Sequence, residues 1–312
     1  MGAKREIGKS GLFITPLMLG GNVFGWTADE KASFAVLDAF VARGGDAIDT
    51  ADVYSAWAPG HEGGESERLI GAWLKRSGKR GQVMIGTKVG MWQKRSGIGR
   101  ENIIAACEDS LKRLGVDVID LYWLHRDDEA TPPEEYVAAL EALYRSGKIR
   151  AFGASNFKPG PFAQAIAEAK RRGLAFAALQ PEYHLLNRGV EQELAPLCVR
   201  EQVSLLPYYG LANGYLTGKY RSPADKAQSV RGARMDQYMQ GKGPQVLAAL
   251  DAVSARHGAT LAQAALAWLM ARPAVAAPVA SATSAAQVED LMGAISLTLS
   301  AEDIAALNAA SA

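Results

Sequence analysis

The sequence has few of the features that mark several protein classes. Only two cysteines, Cys107 and Cys198, occur in 312 residues, which excludes a disulfide-stapled fold and fits a reducing compartment. No run of Lys and Arg reaches five, and 34 Lys+Arg against 33 Asp+Glu give a net charge of +1. This balance argues against a nucleic-acid partner. The longest apolar stretch, 262–271, is interrupted by Gln263 and is too short to span a bilayer.

The first residues, MGAKREIGKSG, contain no apolar core after their basic residues, so we expect no secretory signal and a cytoplasmic protein. Hydrophobic residues make up 48% of the chain and charged residues 21%, as in ordinary folded proteins. The length allows two domains of about 150 residues each or one large α/β barrel.

Short apolar runs ending in polar or glycine residues recur along the chain and predict strands. Eight such runs are present: Leu17–Gly21, Ala47–Thr50, Val83–Lys88, Val118–His125, Arg150–Ser155, Ala177–Gln180, Val203–Pro207 and Val275–Ala280.

Segments with helical spacing of apolar residues lie between these runs. They are Glu30–Arg43, Glu65–Arg76, Arg100–Leu114, Glu134–Ser146, Pro161–Arg172, Val190–Glu201, Pro244–Met270 and Ala285–Ala294. The alternation predicts a parallel sheet closed as a (β/α)8 TIM barrel, with residues 1–312 as a single domain. A doubly wound open sheet is the competitor, but the glycines of 20–25 do not fit the G-x-G-x-x-G fingerprint that such a sheet usually carries.

Two further segments stand outside the alternation. Residues 5–16 alternate polar and apolar around Lys9, Ser10 and Gly11, which predicts an N-terminal β-hairpin that plugs the bottom of the barrel. A long irregular stretch follows Pro207, after the seventh strand. Loops of that length in compact domains are usually lids or binding loops.

Ionisable residues close three successive strands. Asp49, Lys88 and His125 stand at these ends, and Tyr54 follows Asp49 by five positions. In a barrel the chemistry occupies the C-terminal strand ends. A phenol is a poor proton donor at neutral pH, and a neighbouring ammonium held by a carboxylate lowers its pKa. A neutral imidazole can orient a carbonyl oxygen, so the four residues together predict proton delivery to an oxygen.

Other chemistries are less visible in the sequence. No Ser–His–Asp or Cys–His arrangement is equally clear, and none of the four histidines pairs at the spacing of metal ligands. A Schiff base formed by Lys88, as in an aldolase-like barrel, remains an alternative. It leaves the motifs described next without a function.

At these residues the chain resembles the aldo-keto reductases. The motifs that carry the resemblance are AIDTADVY, GGESERLIGAWL, IGTKVG, DSLKRLGVDVIDLYWLH, GKIRAFGASNF, LQPEYHLLNR, PYYGLANGYLTGKY and PVASATSAAQVEDL. The resemblance covers nearly the whole length and implies an NAD(P)(H)-dependent reductase of aldehydes or ketones, reversible with alcohols, on a (β/α)8 barrel. It implies that Tyr54 is the proton donor, that Lys88 lowers its pKa with Asp49 as partner, and that His125 orients the carbonyl.

The resemblance also implies the cofactor contacts. Ser155, Asn156 and Gln180 match the residues that bind the carboxamide, and Tyr208 matches the aromatic that stacks on the nicotinamide. The other matching positions are Gly21, Asn22, Asp49, Tyr209, Gly210, Leu211, Ala212, Asn213, Lys219, Arg231, Ser281, Thr283, Gln287 and Asp290.

The sequence departs from the family pattern near the adenine, with Ser281 in place of Gly and Leu291 in place of Asn. Tyr209 and Gly210 replace a common Ser-Pro pair. Arg231 and Gln287 resemble the set of the potassium-channel β-subunit branch, which takes NADPH, so we expect NADP(H), with NAD(H) as the alternative. That branch also supplies a second hypothesis, a nicotinamide-binding regulatory or sensing subunit with weak reductase activity.

Large aromatic residues follow several strand ends. Trp26, Trp57 and Trp92 could line an apolar substrate pocket or could pack a lid. Trp123 and Trp268 lie within a strand and a helix and are expected in the core. The expected partner is a small-molecule carbonyl or alcohol, without nucleic acid, membrane or metal, and the oligomeric state stays open.

Overall fold

The computed structural model describes residues 3–230 and 232–312. Its strands are β1 Arg5–Glu6, β2 Phe13–Ile14, β3 Met18–Gly20, β4 Ala47–Asp49, β5 Met84–Val89, β6 Met91–Trp92, β7 Arg95–Ser96, β8 Ile119–Leu124, β9 Ile149–Ser155, β10 Ala178–Gln180, β11 Ser204–Leu205 and β12 Val279–Ala280. Its helices are α1 Glu30–Ala42, α2 Glu65–Ser77, α3 Arg100–Leu114, α4 Pro133–Arg145, α5 Pro159–Arg171, α6 Leu194–Glu201, α7 Asp236–Met239, α8 Gly243–His257, α9 Leu261–Met270, α10 Ala285–Gly293 and α11 Ala301–Ser311.

Eight of the strands form one parallel sheet that closes on itself. Its order is β11-β10-β9-β8-β5-β4-β3-β12. The two ends meet where the Leu205 N–H donates to the Ala274 carbonyl at 2.7 Å and the Ala276 N–H donates to the Leu205 carbonyl at 3.0 Å. Each predicted strand overlaps one strand of this sheet, so the (β/α)8 barrel is confirmed.

The strands are buried on both faces, which explains their nearly continuous apolar sequences. On β8, Leu121 and Trp123 point into the barrel, where they join an inner cluster with Met18 and Leu206. Tyr122, between them, belongs to the larger cluster that lies between the sheet and the helices. The alternation along a strand therefore assigns each residue to the barrel interior or to the helical layer.

The N-terminal hairpin covers the bottom of the barrel, as predicted. β1 and β2 pair antiparallel, and Ile7 belongs to the inner cluster. The Gly8 N–H donates to Ser204 Oγ at 2.8 Å. A Cβ on Gly8, whose φ is +58°, would lie 2.5 Å from the Ala177 carbonyl oxygen, so only glycine fits this contact.

The sequence interpretation is wrong in three places. The predicted helix 244–270 is two helices, because Gly258 ends α8 in a left-handed conformation and Thr260 caps α9. Residues 189–191 form a 3₁₀ turn, and α6 begins at Leu194. Helix α11 was not predicted, although its capping box of Ser300 and Asp303 is visible in the sequence.

The segment after β11 is irregular, as expected. It contains 3₁₀ turns at 212–217, 223–228 and 232–234, followed by the one-turn helix α7. We call residues 208–240 the long loop. Within the described residues, no helix combines the length and the apolar character needed to cross a membrane.

Candidate active site

Three ionisable side chains meet at the C-terminal end of the barrel because their strands are adjacent and parallel. Asp49 is the last residue of β4, Lys88 lies near the end of β5, and His125 follows β8 directly. The sheet order places β4, β5 and β8 side by side. The polar ends of these strands therefore surround one space at the mouth of the barrel.

Lys88 is the centre of this group. Its side chain is fully buried, and Nζ donates to Asp49 Oδ2, to the Thr50 carbonyl oxygen at 2.8 Å and to Tyr54 Oη at 3.0 Å. An ammonium has three protons to donate, and each has an acceptor here. The phenol of Tyr54 is thus held against a buried cation.

Asp49 is the counterion of that cation. It is buried, and its second carboxylate oxygen accepts a hydrogen bond from Gln180 Nε2 at 3.2 Å. Burial raises the pKa of Asp49 and lowers the pKa of Lys88, while the contact between the two charges opposes both shifts. Removing either residue would destabilise the fold, because it would leave the other as an uncompensated buried charge.

The pKa of Tyr54 differs from the sequence expectation. Burial, followed by the negative charge of Asp49, raises the pKa of Tyr54 well above that of a free phenol. The ammonium of Lys88 acts in the opposite direction, but burial exceeds it in the protein alone. Tyr54 therefore holds its proton through the neutral range.

His125 faces Tyr54 across the mouth. The two ring centroids are 5.9 Å apart. Burial, followed by the positive charges of Lys88 and Arg126, lowers the pKa of His125 well below its ordinary value. The imidazole is therefore neutral at physiological pH, and its buried Nδ1 has no hydrogen-bond partner among the described residues. A neutral ring with a free polar atom can contact a polar ligand atom.

A second buried charged cluster lies behind Lys88, and the sequence reasoning missed it. Thr87, which precedes Lys88, donates from Oγ1 to Glu67 Oε1 at 2.6 Å, and Arg113 Nε donates to Glu67 Oε2 at 2.5 Å. Asp52 is buried beside this pair, and its ionisation is coupled to both charges. The available signal was Glu67 itself, an acidic residue on the same face of α2 as Ile70 and Leu74.

The predicted carboxamide contacts form a connected group at the ends of β9 and β10. Ser155 Oγ donates to the Gln180 carbonyl oxygen at 2.8 Å, and Asn156 Nδ2 donates to the His125 carbonyl oxygen at 2.9 Å. Tyr208 Oη donates to Asn156 Oδ1 at 2.7 Å. The structure therefore brings these four residues together beside the Tyr54–Lys88 pair.

The next predicted segment, residues 209–213, has an unusual backbone. Seven described residues other than glycine have positive φ, and Asn156, Tyr209, Ala212 and Asn213 are four of them. Such conformations cluster where a backbone is shaped around a ligand. Gly210 and Leu211 lie between, with Gly210 packed so closely that a Cβ would meet Leu269 at 2.8 Å.

The predicted cofactor positions that follow β3 and β12 lie where these two strands meet. Gly21 follows β3 and is buried, and Ser281 Oγ donates to Asn22 Oδ1. The Thr283 N–H donates to Gln287 Oε1 at 2.8 Å, and Gln287 is exposed at the start of α10.

Two other predicted cofactor positions do not join this group, and a third lies outside the described residues. Asp290 accepts from Thr260 Oγ1 at 2.7 Å and so ties α10 to α9. Lys219 is exposed in the long loop, with its ammonium 5.0 Å from the centre of the Tyr220 ring. Arg231 lies outside the described residues. Arg234, which the sequence reasoning missed, donates to Tyr209 Oη at 3.4 Å.

The tryptophans at the mouth have different surroundings. Trp57 packs edge-on against Tyr54, with centroids 5.9 Å apart, and against Trp26 at 5.7 Å, yet 47% of it is exposed. Trp92 instead donates from Nε1 to the Glu62 carbonyl oxygen at 2.7 Å and lies against Arg113. Trp57 therefore presents an apolar surface beside Tyr54, whereas the contacts of Trp92 are with the loop before α2 and with Arg113 on α3.

The donor set fits a nicotinamide dinucleotide. Amide and hydroxyl groups lie next to the Tyr54–Lys88 pair, and hydroxyl and amide groups lie further out at the N-terminus of α10, which favours an anion. No group of three or more His, Cys, Asp or Glu residues suited to a metal ion occurs in the part of the chain that the structure describes.

Comparison with known proteins agrees with this class of site. Residues 16–312 match the aldo/keto reductase family. An aldo-keto reductase, str7, of Strobilurus tenacellus is 33% identical over 97% of this chain and 87% of its own length. An uncharacterized oxidoreductase, YrpG, of Bacillus subtilis (strain 168) is 32% identical over 97% and 94%. A probable voltage-gated potassium channel subunit beta of Arabidopsis thaliana is 30% identical over 93% and 90%.

The chain therefore belongs to the aldo/keto reductase family. Membership supports an oxidoreductase that uses a nicotinamide cofactor and a small-molecule substrate.

Proposed function

We propose that the protein is an NADPH-dependent reductase of aldehydes or ketones, in which Tyr54 donates the proton. The observation that carries the proposal is the hydrogen bond from buried Lys88 Nζ to Tyr54 Oη at 3.0 Å. This contact joins a proton donor to a cation that stabilises the phenolate left behind. Few other reactions require that combination at the mouth of a barrel.

Each residue of the site has one task in this proposal. When bound, the nicotinamide supplies the hydride. Tyr54 gives its proton to the carbonyl oxygen, and Lys88, held by Asp49, stabilises the resulting phenolate. The neutral imidazole of His125 donates a hydrogen bond to the same oxygen and orients it. In the opposite direction the phenolate accepts the proton of an alcohol.

The residues of β9, β10 and the long loop hold the cofactor in this proposal. Asn156, Ser155 and Gln180 bind the carboxamide, and the half-buried ring of Tyr208 stacks on the nicotinamide. The segment 209–213 wraps the pyrophosphate. NADP(H) rather than NAD(H) rests on the sequence resemblance at Arg231 and Gln287, and the exposed cation of Lys219 supports a phosphate contact.

The surface beside Tyr54 supports an apolar or aromatic substituent on the carbonyl substrate. Trp57 and Trp26 form an edge-to-face pair whose outer ring is open to solvent. A ring or alkyl group would bury this surface while its carbonyl reached Tyr54 and His125. Trp92 is a poorer candidate for this surface, because its contacts turn it towards Glu62 and Arg113.

The test is a panel of aldehydes and ketones with NADPH and NADH, followed at the nicotinamide absorbance band. We expect turnover with NADPH, preferred over NADH, and a loss of about 10²–10⁴-fold in kcat/KM for Tyr54→Phe, the usual size of a general-acid contribution. Tyr144→Phe, on the exposed surface of α4, is the matched control and keeps wild-type turnover.

Two results would contradict the proposal. Near-wild-type turnover in Tyr54→Phe would remove Tyr54 as the donor. Tight binding of NADPH without turnover on any carbonyl would favour the regulatory or sensing subunit, which a pull-down with candidate partners would then test. A covalent adduct at Lys88 after borohydride treatment would favour a Schiff base.

A further inference from the structure

Asp52 is buried in the charged cluster behind Lys88, and the proposed mechanism gives it no task. It follows Asp49 by three residues and precedes Tyr54 by two. Its side chain is completely buried, and its N–H donates to the Lys88 carbonyl oxygen at 3.2 Å. The backbone of Asp52 is thus attached to the strand that carries Lys88.

The carboxyl group of Asp52 differs from those of Asp49 and Glu67 in its hydrogen bonds. Asp49 has Lys88 and Gln180 as donors, and Glu67 has Thr87 and Arg113. Among the described residues, no side chain donates a hydrogen bond to either oxygen of Asp52, and only the neighbouring Val53 N–H acts on the carboxyl group from the backbone. A buried carboxylate with so few donors is costly, so the neutral acid is favoured.

The charged groups around Asp52 come from every element packed against it. Glu67 on α2 disfavours a second negative charge, whereas Arg113 on α3, Lys88 on β5 and the Val53 N–H favour it. Burial exceeds all of these and raises the pKa of Asp52 to about 7. The carboxyl group therefore changes charge in the range where enzymes work.

That charge acts on the reacting residues. A negative Asp52 raises the pKa of Tyr54 and raises the pKa of Lys88. It also raises the pKa of Tyr122, which is buried on β8. Tyr54 must become a phenolate when its O–H bond breaks and its proton goes to the carbonyl oxygen. A second negative charge beside it opposes that step.

We propose that Asp52 is a positioning residue whose buried carboxyl group is neutral while Tyr54 gives up its proton, and whose ionisation slows reduction. This inference rests on the proposed reductase function. The Glu67–Arg113 pair takes part in this effect, because the negative charge of Glu67 helps to keep Asp52 protonated. A group that is two residues from the donor and shares no hydrogen bond with it thereby sets the pH range of the reaction.

The test compares pH profiles of carbonyl reduction by the wild type and Asp52→Asn, from about pH 5 to about pH 9. We expect wild-type kcat/KM to fall about three- to tenfold as the pH rises through about 7, since the negative charge of Asp52 raises the pKa of Tyr54 and so disfavours the phenolate that reduction forms. In Asp52→Asn the amide stays neutral, so that fall disappears. Asp38→Asn, on the exposed face of α1, is the matched control and keeps the wild-type profile.

A second variant moves the same inflection instead of removing it. Glu67→Gln takes away the like charge and leaves Arg113 beside Asp52, so Asp52 ionises at lower pH and the fall in kcat/KM shifts to the acid side. Thermal melts of both variants check that they fold. An Asp52→Asn variant with uniformly lower activity and an unchanged profile would show a merely structural role and overturn the inference.

The ionisation of Asp52 can also be measured directly, without any catalysed reaction, and this separates the inference from the proposed function. In protein labelled with carboxyl-¹³C aspartate, NMR should show one resonance that titrates near neutral pH and that Asp52→Asn removes. Absence of such a resonance would overturn the inference even if the reductase is active. Lack of turnover with every carbonyl, with the resonance present, would overturn the proposed function and, with it, the role of Asp52 in the reaction.

Discussion

The two ends of the barrel differ in whether their buried ionisable groups have hydrogen-bond partners. At the lower end, Asp120 on β8 accepts hydrogen bonds from Arg80, from Arg150 and from the Ile85 N–H. Both of its oxygens have donors, and the N-terminal hairpin closes this end with apolar residues. At the upper end, the carboxyl oxygens of Asp52 and the Nδ1 of His125 have no side-chain partners among the described residues.

This difference separates groups that stabilise the fold from groups that do chemistry. A fully bonded carboxylate has nothing left to offer a ligand, and its contribution is to stability. Groups with unused capacity are costly to bury, and they persist where function requires them. Variants at the lower end should therefore change stability and leave turnover alone, whereas variants at the upper end should change turnover.

The largest expected effect is at the upper end. Lys88→Met removes the cation beside Tyr54, and we expect kcat/KM for carbonyl reduction to fall about 10²–10⁴-fold, because the phenolate loses its stabilising charge. Steady-state kinetics with a substrate from the panel measure it. Asp49→Asn combined with Lys88→Met is the matched variant that leaves no unpaired buried carboxylate. If this double variant recovered activity, the cation would not be required.

A smaller effect, on stability alone, is expected at the lower end. Asp120→Ala leaves the Ile85 N–H without its acceptor and removes the carboxylate that pairs with the Arg80 and Arg150 guanidinium groups, and we expect a loss of about 2–3 kcal/mol in the free energy of unfolding. Urea denaturation measures it. Turnover per folded molecule should stay near the wild-type value. A large loss of kcat at full folding would show that the two ends are not separate in function.

A third effect, at the upper end, is a change of stability with pH. The pKa of Asp52 is about 7 in the fold against 3.8 as the ordinary value, so the folded state binds the extra proton between these values. The stabilisation is fully present below about pH 4 and is lost as the pH rises through about 7. We expect Asp52→Asn to gain about 4 kcal/mol over the wild type between pH 4 and pH 8, because the two pKa values differ by about 3 and each unit corresponds to about 1.4 kcal/mol. Denaturation at both pH values measures the difference, and equal differences would contradict the raised pKa.

The sequence by itself determined the barrel and the composition of the site. Strand runs such as VMIGTK and VIDLYWLH are local patterns, and their polar ends must meet when parallel strands pair. Asp49, Lys88 and His125 could therefore be placed at one mouth before any coordinates. The split between α8 and α9 was also readable from Gly258 and Thr260, and the helical spacing of 244–270 obscured it.

Only the tertiary structure decided the electrostatics. The pKa of Tyr54 depends on how deeply the ring is buried and on charges from two strands, so the net direction is opposite to that expected from Lys88 alone. The Asp52, Glu67 and Arg113 cluster joins a loop to α2 and α3, and the side chain of Trp92 turns away from Tyr54. Burial and charge coupling arise between residues distant in the chain, and no local pattern records them.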